Sequence, residues 1–230
     1  MLALPLFLSL LSVNRPEHPN AIPKDALPED RYAYMASPRE CDARRLQSCY
    51  TLHLAHYNLT VDPFPKSGQY VNKIYALLGK GPKGVKKVCG LQRSLNKCLG
   101  TENVETCENT PALRYGLGIS EDEASGYLLT YHTFGTMCER FYHTFVENVQ
   151  CLIRIERGHS EKIRKCTDKW VEEMGRNDGF SCKSMNNFNK CVSNVIREEC
   201  NEKATKMLCE ALNSELKAMT TFCDRSILQC

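Results

Sequence analysis

The chain has 230 residues, 42% apolar and 25% charged, with 30 Lys and Arg against 27 Asp and Glu for a formal net charge of +3. That balance excludes a wholly disordered chain, and so small a charge of mixed sign is no nucleic-acid footprint. The length suits one domain, or two small ones, around a real core.

The only long apolar run is Leu2 to Val13. Its roughly 12 residues would extend about 18 Å as a helix, short of a ~30 Å bilayer core. The length is that of a signal-peptide apolar region, with Ser12 as a small residue near a cleavage point. Residues 1–13 are therefore read as a signal peptide, although no Lys or Arg precedes the run. Residues 14–39 hold five of the ten prolines and no cysteine, which reads as an extended leader. A Cys-rich helical domain is expected over 40–230. The end of the chain, Ser226 to Cys230, has no hydrophobic tail, so neither a lipid anchor nor a membrane span is expected.

Within that domain, Leu46, Cys49, Tyr50, His53, Leu54 and Tyr57 recur at helical steps and predict a short helix. A loop follows at Asp62-Pro-Phe-Pro-Lys-Ser-Gly68. Tyr70, Ile74, Leu77 and Leu78 predict a second helix, stopped by Gly79. Residues 109–119, with Pro111, Gly116 and Gly118, read as another loop, and no proline occurs in the 119 residues after Pro111, which permits long helices. Ser120-Glu-Asp-Glu123 is a capping box in which Glu123 would reach back to the Ser120 amide. From Leu128 to Leu152 the apolar spacing predicts one long helix, bent at Gly135. Helices are also predicted over 161–174, with Gly175 as stop, over 182–200, and over 202–223. Alternation of period two is nowhere sustained. The expected fold is all-α, a disulfide-stapled bundle of about six to eight helices.

Fourteen cysteines, an even number, contain no CxxC pair. This removes the usual zinc-ribbon and thioredoxin signatures and leaves a disulfide framework, which needs an oxidising compartment. The expected bridged set is Cys41, Cys49, Cys89, Cys98, Cys107, Cys138, Cys151, Cys166, Cys182, Cys191, Cys200, Cys209, Cys223 and Cys230. Their number allows on the order of 10⁵ pairings, so connectivity stays open. The run Cys89, Cys98, Cys107 is echoed by Cys182, Cys191, Cys200, with Asn-Lys before the middle cysteine of each. This suggests two similar helical units. Nine helical residues turn half a revolution past two full turns and rise about 13.5 Å. Successive cysteines then face opposite sides of their helix and are too far apart to bridge each other. Bridges are expected between helices, not within them.

These spacings resemble the nematode secreted domain of unknown function 19, over Cys41 to Cys223. The resemblance is carried by the two nine-residue cysteine runs, by Phe134-Gly-Thr-Met-Cys138 with Phe145 and Cys151, and by Cys182-Lys-Ser-Met-Asn-Asn-Phe-Asn-Lys-Cys191 with Cys200 and Ala204. A chondroitin proteoglycan 4-like domain is a related likeness. The resemblance implies a signal peptide, a helical domain of about twelve cysteines, and no established activity. Cys209 and Cys230 stand outside that pattern and are expected to pair with each other. Asn201 stands where the family often has Gly.

Candidate chemistry is sparse. His53 and His56 lie three residues apart, but no third ligand sits at a matching offset. No GxSxG or HExxH motif occurs. Lys80, Lys83, Lys86 and Lys87 form a basic cluster able to meet an anionic glycan or headgroup, or simply to be solvated. Asn58-Leu-Thr60 is an N-glycosylation sequon. Ser67-Gly68, in the first loop, and Ser125-Gly126, inside a predicted helix, are candidate glycosaminoglycan sites. The expected function is a secreted, non-enzymatic extracellular binding protein without metal or cofactor, its partner a protein, a glycan or a small ligand. A glycan-bearing matrix component is the alternative. Reduction of the deglycosylated chain from secretory cells is expected to add about 14 Da, one per cysteine, to a mass already shortened at the N-terminus. No gain, or an uncleaved chain retained in the cell, would overturn the secretory framework.

Overall fold

The computed structural model describes residues 41–157, 161–176, 181–219, 223 and 227–230. The expected signal peptide and leader lie outside the described residues. Nine helices and no strand occur among the described residues: α1 (Ala43–Ala55), α2 (Ser67–Leu78), α3 (Pro82–Cys107), α4 (Thr110–Leu117), α5 (Glu121–Glu139), α6 (Tyr142–Arg157), α7 (Glu161–Arg176), α8 (Cys182–Glu199) and α9 (Glu202–Met219). None of them is long and apolar enough to cross a membrane.

The count exceeds six to eight for two local reasons. Residues 109–119 are not a loop. Asn109 accepts a hydrogen bond from the Ala112 amide at 3.0 Å, and Pro111 occupies the first turn, where its missing N–H is not needed, so α4 forms. The stretch from Leu128 to Leu152 is two helices, not one. The break falls at Arg140 and Phe141, and Gly135 sits inside α5. Ser120 caps α5 as expected, accepting from the Glu123 amide at 3.3 Å. Glu123 does not reach back, however. Its carboxylate accepts from the backbone N–H of Ser67 and so ties the start of α2 to the start of α5.

All fourteen cysteines are paired. The bridges are Cys41–Cys107, Cys49–Cys98, Cys89–Cys138, Cys151–Cys200, Cys166–Cys191, Cys182–Cys223 and Cys209–Cys230. The last is the pairing expected for the two cysteines outside the family spacing. No bridge joins two cysteines of one helix. The first six cysteines pair first to fifth, second to fourth and third to sixth, and the next six, ordered from Cys151 to Cys223 without Cys209, pair in the same way. Six cysteines admit fifteen connectivities, so the match gives physical weight to the sequence echo. In these terms α1 corresponds to α7, α3 to α8 and α5 to α9. The first unit adds α2 and α4. No bridge crosses between the units.

A kink in α3 makes the first arrangement possible. Gly100 has φ 74°, a conformation that a side chain strains. Arg45 fills the opening, its Nε donating to the Cys98 carbonyl at 2.8 Å. Cys98, just before the kink, meets Cys49, and Cys107, past it, meets Cys41. The α8–α9 corner is closed differently. Asn201 accepts from the Ala204 amide at 2.9 Å and donates to Asn148 at 2.6 Å, a role that a glycine there lacks.

Helix α3 also begins against the end of α2. A side chain at Gly84 would place its first carbon 2.0 Å from the Leu77 carbonyl oxygen, whereas one at Gly90 meets nothing within 4 Å. Gly84→Ala should therefore lower unfolding free energy by about 1–3 kcal/mol. Gly90→Ala should be neutral, or stabilising by up to ~1 kcal/mol from helix propensity. Chemical denaturation of the oxidised protein checks both, and equal effects would refute the close approach.

Candidate functional site

The two units meet where α5 packs along α9 and α6 packs against α2 and α3. A hollow lies in this joint. Tyr75 and Leu78 line it from α2, Thr133, Phe134 and Met137 from α5, Phe145, Val149, Leu152 and Ile153 from α6, and Leu208, Leu212 and Glu215 from α9. The non-atom space there is about 520 Å³, which includes open solvent. The cavity within it is about 30 Å³, enough for one or two waters as it stands. A larger occupant needs the flexible Met137 and leucine side chains to give way.

Three of these twelve lining residues carry polar groups, Tyr75, Thr133 and Glu215, and the last two meet each other. Glu215 is 4% exposed, and its Oε1 is hydrogen-bonded to the Thr133 hydroxyl. That hydroxyl also donates to the Leu129 carbonyl at 2.8 Å. A hydroxyl has one proton, so Thr133 shares it between these two acceptors. Burial pushes the Glu215 carboxyl up to about 8, against a smaller opposing effect of the Thr133 hydrogen bond.

A second, half-buried carboxyl closes α3. Glu108, at its C-cap, has both oxygens 3.2 Å from the Tyr50 hydroxyl. Burial raises it to about 8, although the Tyr50 hydrogen bond opposes this. Around it, Tyr50, His53, Tyr57, Tyr70 and Tyr127 form a cluster of rings with Tyr70 stacked on Tyr127 at 5.5 Å. His53 is part of this core. Its Nε2 lies 2.7 Å from the Tyr70 hydroxyl, and burial lowers it to about 4, so it is neutral at physiological pH.

The remaining sequence candidates fall in different places. His53 is buried and His56 exposed, so the pair does not face one ion. Among the described residues no cluster of three or more metal-ligating side chains occurs. Lys80, Lys83, Lys86 and Lys87 are exposed, but they flank and form the first turns of α3. Asn58 is exposed just past α1 with φ 55°, a conformation asparagine tolerates, so its sequon is accessible. Ser67 overturns its reading as an exposed loop residue. It begins α2, is 2% exposed, and presses on Gly126. Ser125 lies within α5, as expected.

Sequence reasoning missed the hollow. One signal was present: Glu215 follows Ala211 by four residues and Leu212 by three, on the apolar face of α9. Glu108 follows Cys107 outside any periodic stripe and gave none. Comparisons with protein-family models, with curated proteins and with solved structures return no match for this chain.

Both carboxyls link stability to pH. The unfolded chain releases their protons near 4.5, the folded chain near 8. Between these values only the folded state holds the protons, so their contribution falls as pH rises and levels off above 8. The slope is about 1.4 kcal/mol per pH unit for each group. Glu215→Gln and Glu108→Gln should each remove about one proton from those released on unfolding over this window. Denaturation at pH 5, 6.5 and 8 reads the effect, and an unchanged slope would show that the carboxyls are ionised in the folded protein.

Proposed function

We propose that the chain is a secreted, non-enzymatic extracellular binding protein whose disulfide-stapled helical units hold a small apolar ligand at their joint. The observation that carries this reading is the hollow. It collects side chains from four helices of two separately bridged units, and ten of its twelve lining residues are other than the Thr133–Glu215 pair. An apolar pocket with a few placed polar groups is the usual form of a small-ligand site. Seven disulfides accord with an oxidising, extracellular setting. The likeness of the cysteine spacing to the nematode secreted family points the same way. A non-enzymatic role is favoured by the state of the two carboxyls. The Glu215 carboxyl is buried against the Thr133 hydroxyl and the Glu108 carboxyl accepts from the Tyr50 hydroxyl, so both are engaged within the fold. The matrix alternative loses one of its two attachment sites with the burial of Ser67.

Titration of the oxidised, isotope-labelled protein with benzene tests the site. Amide shifts should concentrate on α2, α5, α6 and α9. Leu212→Trp, which fills the hollow, should abolish them while the protein stays folded. Shifts spread over the surface, or unaffected by Leu212→Trp, would remove the hollow as the site.

A further inference from the structure

Charge is spread unevenly along the chain. From Pro63 to Thr101 there are seven Lys, one Arg and no Asp or Glu, a net +8 in a chain whose total is +3. All eight cations are exposed, and among the described residues none of them makes an ion pair. Five share one face of α3. At 3.6 residues per turn, Lys83, Lys86, Lys87, Arg93 and Lys97 fall within an arc of about 120°, and Lys83 to Lys97 covers roughly 21 Å along the axis. The kink at Gly100 comes after the last of them, so the face lies on the unbroken part of the helix. Between the two groups of cations the arc holds Gly90 and Ser94, and a side chain added at Gly90 would meet nothing within 4 Å. The middle of the face is therefore low and open. Glu139 does touch this stretch of α3, accepting from Asn96 at 2.7 Å, but Asn96 lies outside the arc.

Lys83 with Lys86 and Lys87, and Arg93 with Lys97, are like charges one helical turn apart, an arrangement that weakens a helix slightly. A polyanion laid on the face offsets that repulsion. A small anion would meet only one or two of the cations, whereas a linear chain of anions meets all five. A membrane-binding helix would combine its cations with large apolar side chains that insert. The exposed large apolar residues among those described, Leu52, Tyr115 and Val171, stand on α1, α4 and α7 instead. Four of the five cations are lysines, compact point charges that suit a tetrahedral oxyanion without demanding planar pairing.

We propose that the exposed face of α3 binds a sulfated glycosaminoglycan lying along the helix, its sulfates paired with Lys83, Lys86, Lys87, Arg93 and Lys97. No residue of α3 lines the hollow, so this surface stands independently of the small-ligand reading. The oxidised full chain is titrated, at physiological ionic strength, with heparin, with hyaluronan, and with phosphatidylcholine vesicles containing phosphatidylserine. Heparin should bind most tightly, and its affinity should fall steeply as NaCl is added, because each pair formed releases a counterion. Hyaluronan, whose only anions are widely spaced carboxylates, should bind far more weakly.

Two variants of equal charge locate the contact. Replacing Lys83, Lys86, Lys87 and Lys97 together by Gln should weaken heparin binding by about tenfold or more, since each exposed pair is worth a fraction of one tenfold step. Replacing Lys169, Lys190, Lys203 and Lys206 by Gln removes the same charge from α7, α8 and α9 and should change it by less than about twofold. Every substituted residue is exposed, so both variants should fold. Absence of heparin binding by the unaltered chain overturns the proposal. So does an equal loss in the two variants, which would mean that net charge alone is read. Vesicles bound more tightly than heparin, through the same four lysines, would also overturn it and assign the face to a membrane surface.

Discussion

A helix that carries a cysteine every nine residues cannot satisfy them from one side. This constraint organises both halves of the molecule. In α3 the first cysteine bridges to α5 while the middle and last bridge to α1 and to Cys41 just before it, and in α8 with its cap the three bridge to three different segments, so each of these helices becomes the hub to which others are bridged. The hub then fixes the order of everything around it. An earlier helix is clamped through the middle cysteine, and the segment after the hub is clamped through the first. With three such clamps per unit, insertions between cysteines are tolerated, and the first unit carries α2 and α4 without changing its connectivity.

Because every bridge stays within its unit, the contact between units is non-covalent: packing, the Thr133–Glu215 hydrogen bond and an ion pair between Arg140 and Glu210 at 3.1 Å. Helix α9 lies along α5, the two corresponding helices, and α6 closes the joint from the side. Non-covalent joints between rigid bodies are where small-ligand sites tend to form, since the walls are held but the seam is not. Polar groups in such a seam survive only when paired. Thr133 and Glu215 meet that condition by hydrogen-bonding each other, with the Thr133 hydroxyl also within reach of the Leu129 carbonyl. In the tyrosine-rich interior of the first unit the Glu108 carboxyl accepts from the Tyr50 hydroxyl.

Several departures from the sequence reading share one cause: a residue's partner came from a distant element. Glu123 was positioned to cap its own helix, yet its carboxylate went to Ser67, 56 residues away. Ser67 looked like an exposed loop residue and was buried by the same encounter. Gly135 lies inside α5, and the break comes instead between Glu139 and Tyr142. The 109–119 stretch was misread because Pro and Gly were scored as breakers, when Pro111 in a first turn is a helix start.

By itself the sequence determined the all-helical class, the approximate span of most helices, and the requirement that bridges run between helices. Those follow from local periodicity and from the fixed rise of the helix, which need no partner. Only the tertiary structure decided which cysteines pair, where the two units meet, and that Glu215 is buried and Glu108 half-buried against Tyr50. Connectivity, burial and proton affinity are properties of what stands opposite a residue, and one strand of sequence does not state its neighbours across the joint.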